Sequence, residues 1–234
     1  MSFSHEWEAR YLRIGGMSQW PWSDLVSHCK RHLRGQTSGL KVLELGCAAG
    51  ANIPFFLSLG MDYHGIEGSE SMVTDLLKRF PQLRGKVVAG DFTREIPFPG
   101  PFPLIVDRSS LTHNPTADIR RCLALAAERM PPGGKYIGID WFSIEHSDFP
   151  LGVACDDAFT RRQFPSGLFQ GVGKVHFSDR EHLADLFRDF TLESLEHKRI
   201  ERRFPGPESV HAAWNLVASK PTGTAGADQS RVPT

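Results

Sequence analysis

The sequence has no run of about twenty apolar residues, the length that a membrane-spanning helix needs. Its start, MSFSHEWEAR, has no apolar stretch, so we expect no secretory signal peptide. The four cysteines (Cys29, Cys47, Cys122 and Cys155) form no CxxC pair, which argues against a zinc site and a disulfide framework. Basic and acidic side chains balance at 27 each, so charge favours neither nucleic acid nor an anionic membrane. We therefore expect a soluble, cytoplasmic protein without a bound metal.

What is present is enough for a folded core, because 16 Phe and 5 Trp supply abundant surface to bury. From Leu40 onward, short apolar runs alternate with helical patterns. Such alternation predicts βαβ units, a mainly parallel sheet and an α/β fold. The predicted strands cover 40–46, 61–67, 85–91, 103–108 and 135–142, and the predicted helices cover 52–59, 69–80 and 115–130.

The regions outside this alternation suggest the domain organisation. Residues 1–39 are interpreted as an N-terminal cap segment and a first helix that Ser23 caps. Residues 40–219 form the main domain, and 220–234 form a disordered tail. Within that domain, 143–177 lacks clear periodicity but is rich in Phe and Gly, which is typical of an ordered lid. A helix over 178–187, with Ser178 as N-cap and Glu181 completing a capping box, and closing strands over 190–199 and 211–219 complete the prediction.

A small-residue turn follows the first predicted strand, in the sequence VLELGCAAGAN from Val42 to Asn52. Small residues let the backbone approach a ligand closely, and ligands bind beyond the carboxyl ends of strands in open α/β sheets. The dinucleotide pattern G-x-G-x-x-G fits poorly, because the chain has Gly46, Ala48 and Ala51 at its three glycine positions. Glu44, just before the turn, is unfavourable for a pyrophosphate and suits a cationic ligand.

Acidic residues end, or nearly end, four successive predicted strands: Glu44, Glu67, Asp91 and Asp107. Glu67 follows Glu44 by roughly twenty residues, the spacing at which an acid hydrogen-bonds ribose hydroxyls. Phe92, beside Asp91, can stack or pack against a flat base. Any one acid could simply cap the helix or turn that follows it. Four of them at one sheet edge, next to a glycine turn, indicate a ligand-binding edge.

These residues resemble, as an ordered set, the motifs of class I S-adenosylmethionine-dependent methyltransferases. The turn at 44–50, ELGCAAG, looks like their E/D-x-G-x-G-x-G signature, with Ala48 in place of the middle glycine. Their later motifs are matched by GIEGS at 65–69, GDF at 90–92, IVDR at 105–108 and MPPGGK at 130–135. The resemblance covers roughly 40–142, and 178–219 fits their last helix and two strands. Small-molecule enzymes of bacterial biosynthesis look nearest.

The resemblance implies a Rossmann-like, doubly wound α/β sheet of seven strands in the order 3-2-1-4-5-7-6, with strand 7 antiparallel. Helices are expected on both faces, with a lid insertion after strand 5. It also implies S-adenosylmethionine as cofactor, with Glu67 accepting from ribose, Asp91 accepting from the adenine amino group and Glu44 organising the turn. The full set of expected cofactor-binding residues is Glu44, Gly46, Cys47, Ala48, Gly50, Asn52, Glu67, Gly68, Ser69, Met72, Asp91, Phe92, Asp107, Arg108, Tyr11 and Trp20.

Three of these positions have a second interpretation that the sequence leaves open. Met72 can pack on the adenine or simply belong to the core. Tyr11 and Trp20 can form a wall of the cofactor site or a hydrophobic staple for the first helix.

The expected catalytic residues lie after the fourth strand, in DRSSLTHN. His113 is the first candidate for a general base, since histidine titrates near neutral pH, although it can also be a loop or capping residue. Arg108 can clamp an acidic group of the methyl acceptor, or pair with Asp107 or another neighbour. Trp141 can line the acceptor pocket or belong to the core, and His146 and His176 are secondary candidates for the base.

The predicted function is methyl transfer to an oxygen or nitrogen of a small metabolite or biosynthetic intermediate, by a monomer or homodimer. Two alternatives remain: a catalytically inactive protein that binds S-adenosylmethionine, and a nicotinamide-dependent oxidoreductase. The turn pattern and Glu44 disfavour the oxidoreductase. No NPPY-type segment follows the fourth strand, which weakens methylation of amino groups on nucleic-acid bases or glutamine.

Overall fold

A computed structural model describes residues 18–223 of the chain. The strands are β1 (Lys41–Leu45), β2 (Asp62–Glu67), β3 (Val87–Ala89), β4 (Leu104–Arg108), β5 (Lys135–Phe142), β6 (Val153–Cys155), β7 (Asp157–Arg162), β8 (Val175–His176), β9 (Thr191–Arg202) and β10 (Ser209–Ser219). The α-helices are α1 (Ser23–His32), α2 (Ile53–Ser58), α3 (Glu70–Arg79), α4 (Thr116–Arg129) and α5 (Arg180–Leu186).

Seven strands form one sheet in the order β3-β2-β1-β4-β5-β10-β9. The pairs β2–β3, β1–β2, β1–β4 and β4–β5 are parallel, whereas β10 runs antiparallel to both β5 and β9. Because β9 and β10 are the sixth and seventh strands of this sheet along the chain, the predicted order 3-2-1-4-5-7-6 with an antiparallel seventh strand is confirmed.

Alternating side chains of the central strands enter different hydrophobic clusters on the two faces of the sheet. In β4, Ile105 joins a cluster with Leu123 of α4 and Leu183 of α5. Its neighbour Val106 joins a second cluster with residues of α1, α2 and α3. The helices therefore lie on both faces, as predicted, and β1 and β4 are central strands that both clusters bury.

The alternation reverses near the end of β5. Asp140 has a φ of 56°, an unusual backbone conformation that aspartate tolerates better than most residues. Opposite it, β10 has an irregularity between Trp214 and Leu216, and Asn215 Oδ1 accepts from the Asp140 backbone N–H at 3.0 Å. As a result, Trp141 packs in the same cluster as Ile105. Its indole lies directly against Gly138, where a Cβ on the glycine would be only 2.8 Å from Trp141 Nε1.

The segment 143–177, predicted as an ordered aromatic lid, contains a small three-stranded antiparallel sheet of β6, β7 and β8. Its own hydrophobic cluster includes Phe164, Phe169, Val175 and Phe177, together with Phe142 at the end of β5. Asp157 of β7 accepts a hydrogen bond from the backbone N–H of Thr116 at 2.8 Å, which attaches the insertion to the start of α4.

Helix caps and element ends differ from prediction in detail. Ser178 does not cap α5: Asp179 does, by accepting from the His182 backbone N–H at 2.7 Å. Ser23 is the first residue of α1 rather than its cap, a position that Trp22 takes without a side-chain bond. Both closing strands are longer than predicted, because they pair with each other along nearly their whole length.

The predicted boundaries at 39, 142, 177 and 219 stay predictions for domain organisation, and residues 224–234 lie outside the described residues. Between residues 18 and 223, no helix is long and apolar enough to cross a membrane.

Candidate active site

A cavity of about 360 Å³ opens at the carboxyl ends of β1, β2 and β4. Its walls fall into two parts. The turn half consists of the residues around the glycine turn, the neighbouring strand ends and the segment before the first helix: Ser18, Trp22, Glu44, Gly46, Cys47, Ala48, Ala49, Ala51, Asn52, Glu67, Gly68, Met72 and Phe92. The aromatic half consists of Arg108, Ser109, Ser110, His113, Asn114, Phe142, Leu168, Phe169, Val172 and His211.

Close packing fixes the start of the turn. Gly46 has a φ of 72°, and a Cβ built there would lie 2.2 Å from the Cβ of Ser110, so a side chain does not fit. Its backbone N–H donates to the Ile66 carbonyl at 2.8 Å, which joins the turn to β2. Ala48 has a φ of 45°, a conformation that glycine adopts more readily than alanine. The alanine at the middle position of the motif therefore sits in a glycine-type conformation.

Glu67, at the end of β2, is held by backbone donors. Its Oε2 accepts from the Ala48 N–H at 2.7 Å and its Oε1 from the Ser69 N–H at 3.1 Å. The side chain is 8% exposed and lines the turn half. A carboxylate oxygen can accept more than one hydrogen bond, so this arrangement is compatible with a ligand hydroxyl.

Glu44 lies deeper, beneath the turn. Its two oxygens accept from Asn52 Nδ2 at 2.7 Å and from the Tyr63 hydroxyl at 2.6 Å. Burial raises the pKa of this carboxyl to about 7, against the opposing effect of its two donors. A cation in the turn half would favour the ionised carboxylate.

The other two strand-end acids stabilise the loops that follow them. Asp107 is fully buried, accepts from the Ser110 and Leu111 backbone N–H groups at 2.9 and 3.0 Å, and also accepts from Trp141 Nε1. Burial raises the pKa of its carboxyl. Asp91 accepts from the backbone N–H of Thr93 at 3.0 Å, and its side chain is not on the cavity wall.

Several predicted cofactor residues lie on the cavity wall, and others do not. Phe92 and Met72 both face the cavity, although Met72 is also only 2% exposed. Gly50, Ser69, Asp91, Asp107 and Trp20 are not on the wall. Ser69 instead caps α3 by accepting from the Met72 N–H at 3.0 Å.

Trp22, which the sequence interpretation missed, occupies the cavity wall near the chain's first described residues. Trp20 is 78% exposed and lies outside the wall, and Tyr11 lies outside the described residues. The Trp22 backbone N–H donates to Asn52 Oδ1 at 3.2 Å, so Asn52 connects the start of α1 to Glu44. The position of Trp22 directly before a helix gave no signal in the sequence that it would line a ligand site.

Arg108 pairs with Asp140, not with Asp107. Its Nε and one terminal nitrogen lie 3.0 and 2.8 Å from Asp140 Oδ2, and its guanidinium lies 3.7 Å from the centre of the Trp22 ring. Because β4 and β5 are adjacent parallel strands, the reversed conformation at Asp140 brings the two side chains together.

The aromatic half contains two histidines. His113 Nδ1 lies 3.1 Å from the Lys174 carbonyl, and its ring is edge-on to Phe142 with centroids 6.2 Å apart. His211 also lines the cavity, although a histidine in a predicted closing strand gave no reason to select it. Its Nδ1 lies 3.2 Å from His146 Nε2.

Two further candidates are separate from the cavity. Trp141 is fully buried in the core and does not line the acceptor pocket, because the reversal at Asp140 turns it away. His176 is fully buried against His182, with their Nε2 atoms 3.1 Å apart. Within residues 18–223, no group of three His, Cys, Asp or Glu side chains could hold a metal ion.

Comparison with known proteins identifies the domain. Residues 42–134 match the family model described as "Methyltransferase domain". No curated protein sequence matches the chain.

Solved structures share the fold at low identity. A SAM-dependent methyltransferase from Methanosarcina mazei has a TM-score of 0.65 and 14% identity, and the alignment covers 88% of this chain and all (100%) of the other. A glycopeptide N-methyltransferase in complex with sinefungin has a TM-score of 0.59 and 18% identity, with 90% of each chain covered. A Rhodobacter sphaeroides structure, provisionally described as a Zn-dependent alcohol dehydrogenase, has a TM-score of 0.64 and 16% identity, covering 94% of this chain and 99% of the other.

These likenesses concern the fold, whereas the family match covers the turn and the strand ends that line the cavity. The family match and the strand order β3-β2-β1-β4-β5-β10-β9 both agree with the resemblance seen in the sequence motifs. Residues 42–134 thus match a methyltransferase domain, and the chain has the fold of S-adenosylmethionine-dependent methyltransferases.

Proposed function

We propose that this protein transfers a methyl group from S-adenosylmethionine to an oxygen or nitrogen nucleophile of a small molecule. The observation that carries the proposal is the continuity of one cavity. A turn half that contains two carboxylates, Glu44 and Glu67, adjoins an aromatic half that contains a histidine suited to accept a proton, His113.

The turn half suits S-adenosylmethionine by its chemistry. In this proposal Glu67 accepts from ribose hydroxyls, and Phe92 and Met72 of the cavity wall provide apolar surface for the adenine ring. The carboxylates favour a ligand that carries positive charge, and S-adenosylmethionine carries a sulfonium and an ammonium group. When bound, it supplies an electrophilic methyl group. Asp91 and the backbone near Asp107 keep their proposed roles at the adenine amino group and the methionine end.

The hydrogen bond of His113 supports its role as general base. A carbonyl oxygen can only accept, so Nδ1 donates its proton to the Lys174 carbonyl at 3.1 Å. In the neutral ring, Nε2 is then the basic nitrogen. A base is needed when the nucleophile carries a proton at the moment of transfer, as a hydroxyl or an ammonium does.

The remaining walls position the acceptor and exclude water. Phe142, Leu168, Phe169 and Val172 form an apolar surface beside His113. Arg108 stays a wall residue of the site, and its pairing with Asp140 favours a positioning role over a clamp on an acidic acceptor. Positioning alone can contribute several kcal/mol, up to about 7–11 in ideal cases.

The first prediction is that His113→Ala leaves S-adenosylhomocysteine binding intact but lowers turnover by about 10²–10⁴-fold, the usual range for a general base. The measurement uses S-adenosylmethionine with a labelled methyl group and a panel of phenols, alcohols and amines. For phenols and protonated amines the loss should shrink as pH rises, because these acceptors then lose their proton unaided. His32→Ala, on α1 and away from the cavity wall, is the matched control.

Near-wild-type turnover of His113→Ala at every pH would show that His113 is not a general base and that positioning of the substrates alone drives the transfer. Binding of S-adenosylhomocysteine without methyl transfer to any member of the panel would favour a catalytically inactive binding protein. Calorimetry with NADH tests the oxidoreductase alternative, and binding of NADH in place of S-adenosylhomocysteine would contradict the proposed function.

A further inference from the structure

The proposed function leaves without a role one pair of histidines, formed by His211 of the aromatic half and His146 behind it. His211 projects from β10 onto the cavity wall, and its Nδ1 lies 3.2 Å from Nε2 of His146. His146 is only 4% exposed. Two hydrogen-bonded neutral imidazoles need a proton on one nitrogen of the pair only, and the neighbouring backbone decides which one carries it.

The backbone N–H of Asp148 points at His146 Nδ1 from 3.1 Å. A backbone N–H can only donate, so His146 Nδ1 is unprotonated and its ring proton is on Nε2. His146 Nε2 therefore donates to His211 Nδ1. The neutral His211 ring then carries its own proton on Nε2, where it can donate but cannot act as a base. Among residues 18–223, no protein group accepts from His211 Nε2.

The surroundings keep both rings neutral. The Asp148 carboxylate is 3.9 Å from His146 Nδ1, too far for a hydrogen bond that would compete with the backbone N–H. Burial lowers the pKa of His146 to about 4, and burial also lowers that of His211. The charged groups that act on His211 are of both signs: Asp140 and Asp148 favour its protonation, and Lys198 and Arg108 oppose it.

The cations near the aromatic half already have partners. Arg108 binds Asp140, and Lys198 binds both Asp140 and Asp24, with 2.6 Å to Asp24 Oδ2. An acidic acceptor would have to compete with these carboxylates for a positive charge. Beside these groups the wall presents the apolar surface of Phe142 and Phe169, whose ring centroids are 4.7 Å apart and edge to face. Such a wall favours an uncharged ring or hydrocarbon.

We propose that His211 is the specificity-determining hydrogen-bond donor of the aromatic half. The acceptor is an uncharged, mainly apolar molecule whose carbonyl or ether oxygen accepts from His211 Nε2 while its nucleophile faces His113. This inference rests on the proposed function, since it concerns the substrate of the same site. It assigns different tasks to the two histidines: His113 takes a proton and His211 gives a hydrogen bond.

The test uses three small phenols as probes: 4-hydroxyacetophenone, which carries a neutral carbonyl; 4-ethylphenol, which lacks the carbonyl oxygen; and 4-hydroxybenzoate, which carries a charge. Binding of each to the full chain saturated with S-adenosylhomocysteine is measured by calorimetry. We expect the ketone to bind wild-type protein about tenfold more tightly than the ethyl compound, since that difference corresponds to one buried hydrogen bond.

His211→Phe should abolish this preference without changing S-adenosylhomocysteine binding, whereas His211→Gln, which keeps an N–H near the Nε2 position, should retain part of it. His197→Phe, on the neighbouring strand β9 and off the cavity wall, is the matched control and should keep the full preference.

Equal binding of the two neutral phenols to wild-type protein, a preference that survives in His211→Phe, or tightest binding of the charged phenol would each overturn the inference. Failure of every phenol to bind would overturn it as well. The titrations are repeated without S-adenosylhomocysteine. A protein that does not bind S-adenosylhomocysteine but shows the His211-dependent preference would contradict the proposed function and leave the donor role intact.

Discussion

Two carboxylates under the same turn are stabilised in different ways. Glu67 accepts from backbone N–H groups at the cavity wall, whereas Glu44 is buried below it and accepts from the side chains of Asn52 and Tyr63. Hydrogen-bond donors lower the pKa of a carboxyl group, and loss of hydration on burial raises it. For Glu44 the loss of hydration is the larger effect, so the pKa of this carboxyl rises to about 7.

Glu67→Ala should weaken binding of S-adenosylhomocysteine by about 10- to 150-fold, the equivalent of about 1.5–3 kcal/mol for one hydrogen bond to a charged group. Calorimetry measures the change, with circular dichroism to verify folding. Glu70→Ala is the control, because Glu70 is an exposed carboxylate nearby on α3. Unchanged affinity in a folded Glu67→Ala protein would rule out the ribose role.

Glu44 should make the protein less stable as pH rises. Its folded pKa of about 7 exceeds the ordinary value of 4.5, so between these pH values the folded state holds a proton that the unfolded state has lost. The free energy of unfolding should fall over this window, by at most about 3 kcal/mol.

Glu44→Gln mimics the protonated carboxyl and should remove this fall. The experiment is urea denaturation of both proteins at pH 5 and pH 8, with the exposed Glu70→Gln as control. Parallel pH dependences of wild type and Glu44→Gln would contradict the predicted shift.

At the scale of elements, the insertion after β5 consists of a well-packed small sheet, β6–β8, and a more exposed loop between β7 and β8. The β6–β8 sheet buries a phenylalanine cluster and is attached to α4 by Asp157. The loop between β7 and β8 carries Leu168, which is 54% exposed, beside Phe169 and Val172 on the cavity wall. Local opening requires few contacts to be broken there, so this loop is the part of the predicted lid that we expect to respond to ligand.

Hydrogen exchange should detect this response. Amides of residues 165–173 should exchange about tenfold more slowly when S-adenosylhomocysteine and a bound phenol fill the cavity, because the loop then packs on ligand. Amides of β7 should change little and serve as the internal control. Equal exchange of the loop in free and loaded protein would indicate a permanently packed insertion.

At the scale of the whole molecule, a central sheet separates two hydrophobic clusters, and Trp141 connects the core to the site. Trp141 is fully buried beside Ile105 and Leu216, and its Nε1 donates to Asp107, which in turn holds the loop that leads to His113. Loss of this indole removes apolar packing and a donor to a buried carboxylate at the same time.

Trp141→Phe should therefore lower the free energy of unfolding by about 2–4 kcal/mol. Urea denaturation followed by circular dichroism measures the change. The exposed Trp20→Phe should stay within about 0.5 kcal/mol of wild type. A similar small effect at Trp141 would mean that Asp107 finds another donor and that the core closes over the space.

The sequence alone determined the fold class and the edge of the sheet that carries the site. Alternating apolar runs and helices require parallel strands, and parallel strands bring Glu44, Glu67 and the glycine turn to one edge. The position of His113 at that edge could be predicted for the same reason, since it lies in the loop that follows β4. These inferences depend on short stretches of chain and on a topology with few alternatives.

The tertiary structure decided which side chains meet across distant segments. The reversal at Asp140 directs Trp141 into the core and gives Arg108 its partner, and no local pattern in β5 signals it. Trp22 and His211 reach the cavity only because α1 and β10 pack next to it. A residue's type and its sequence neighbours do not specify such contacts, because they are set by the packing of whole elements and by single irregularities in the strands.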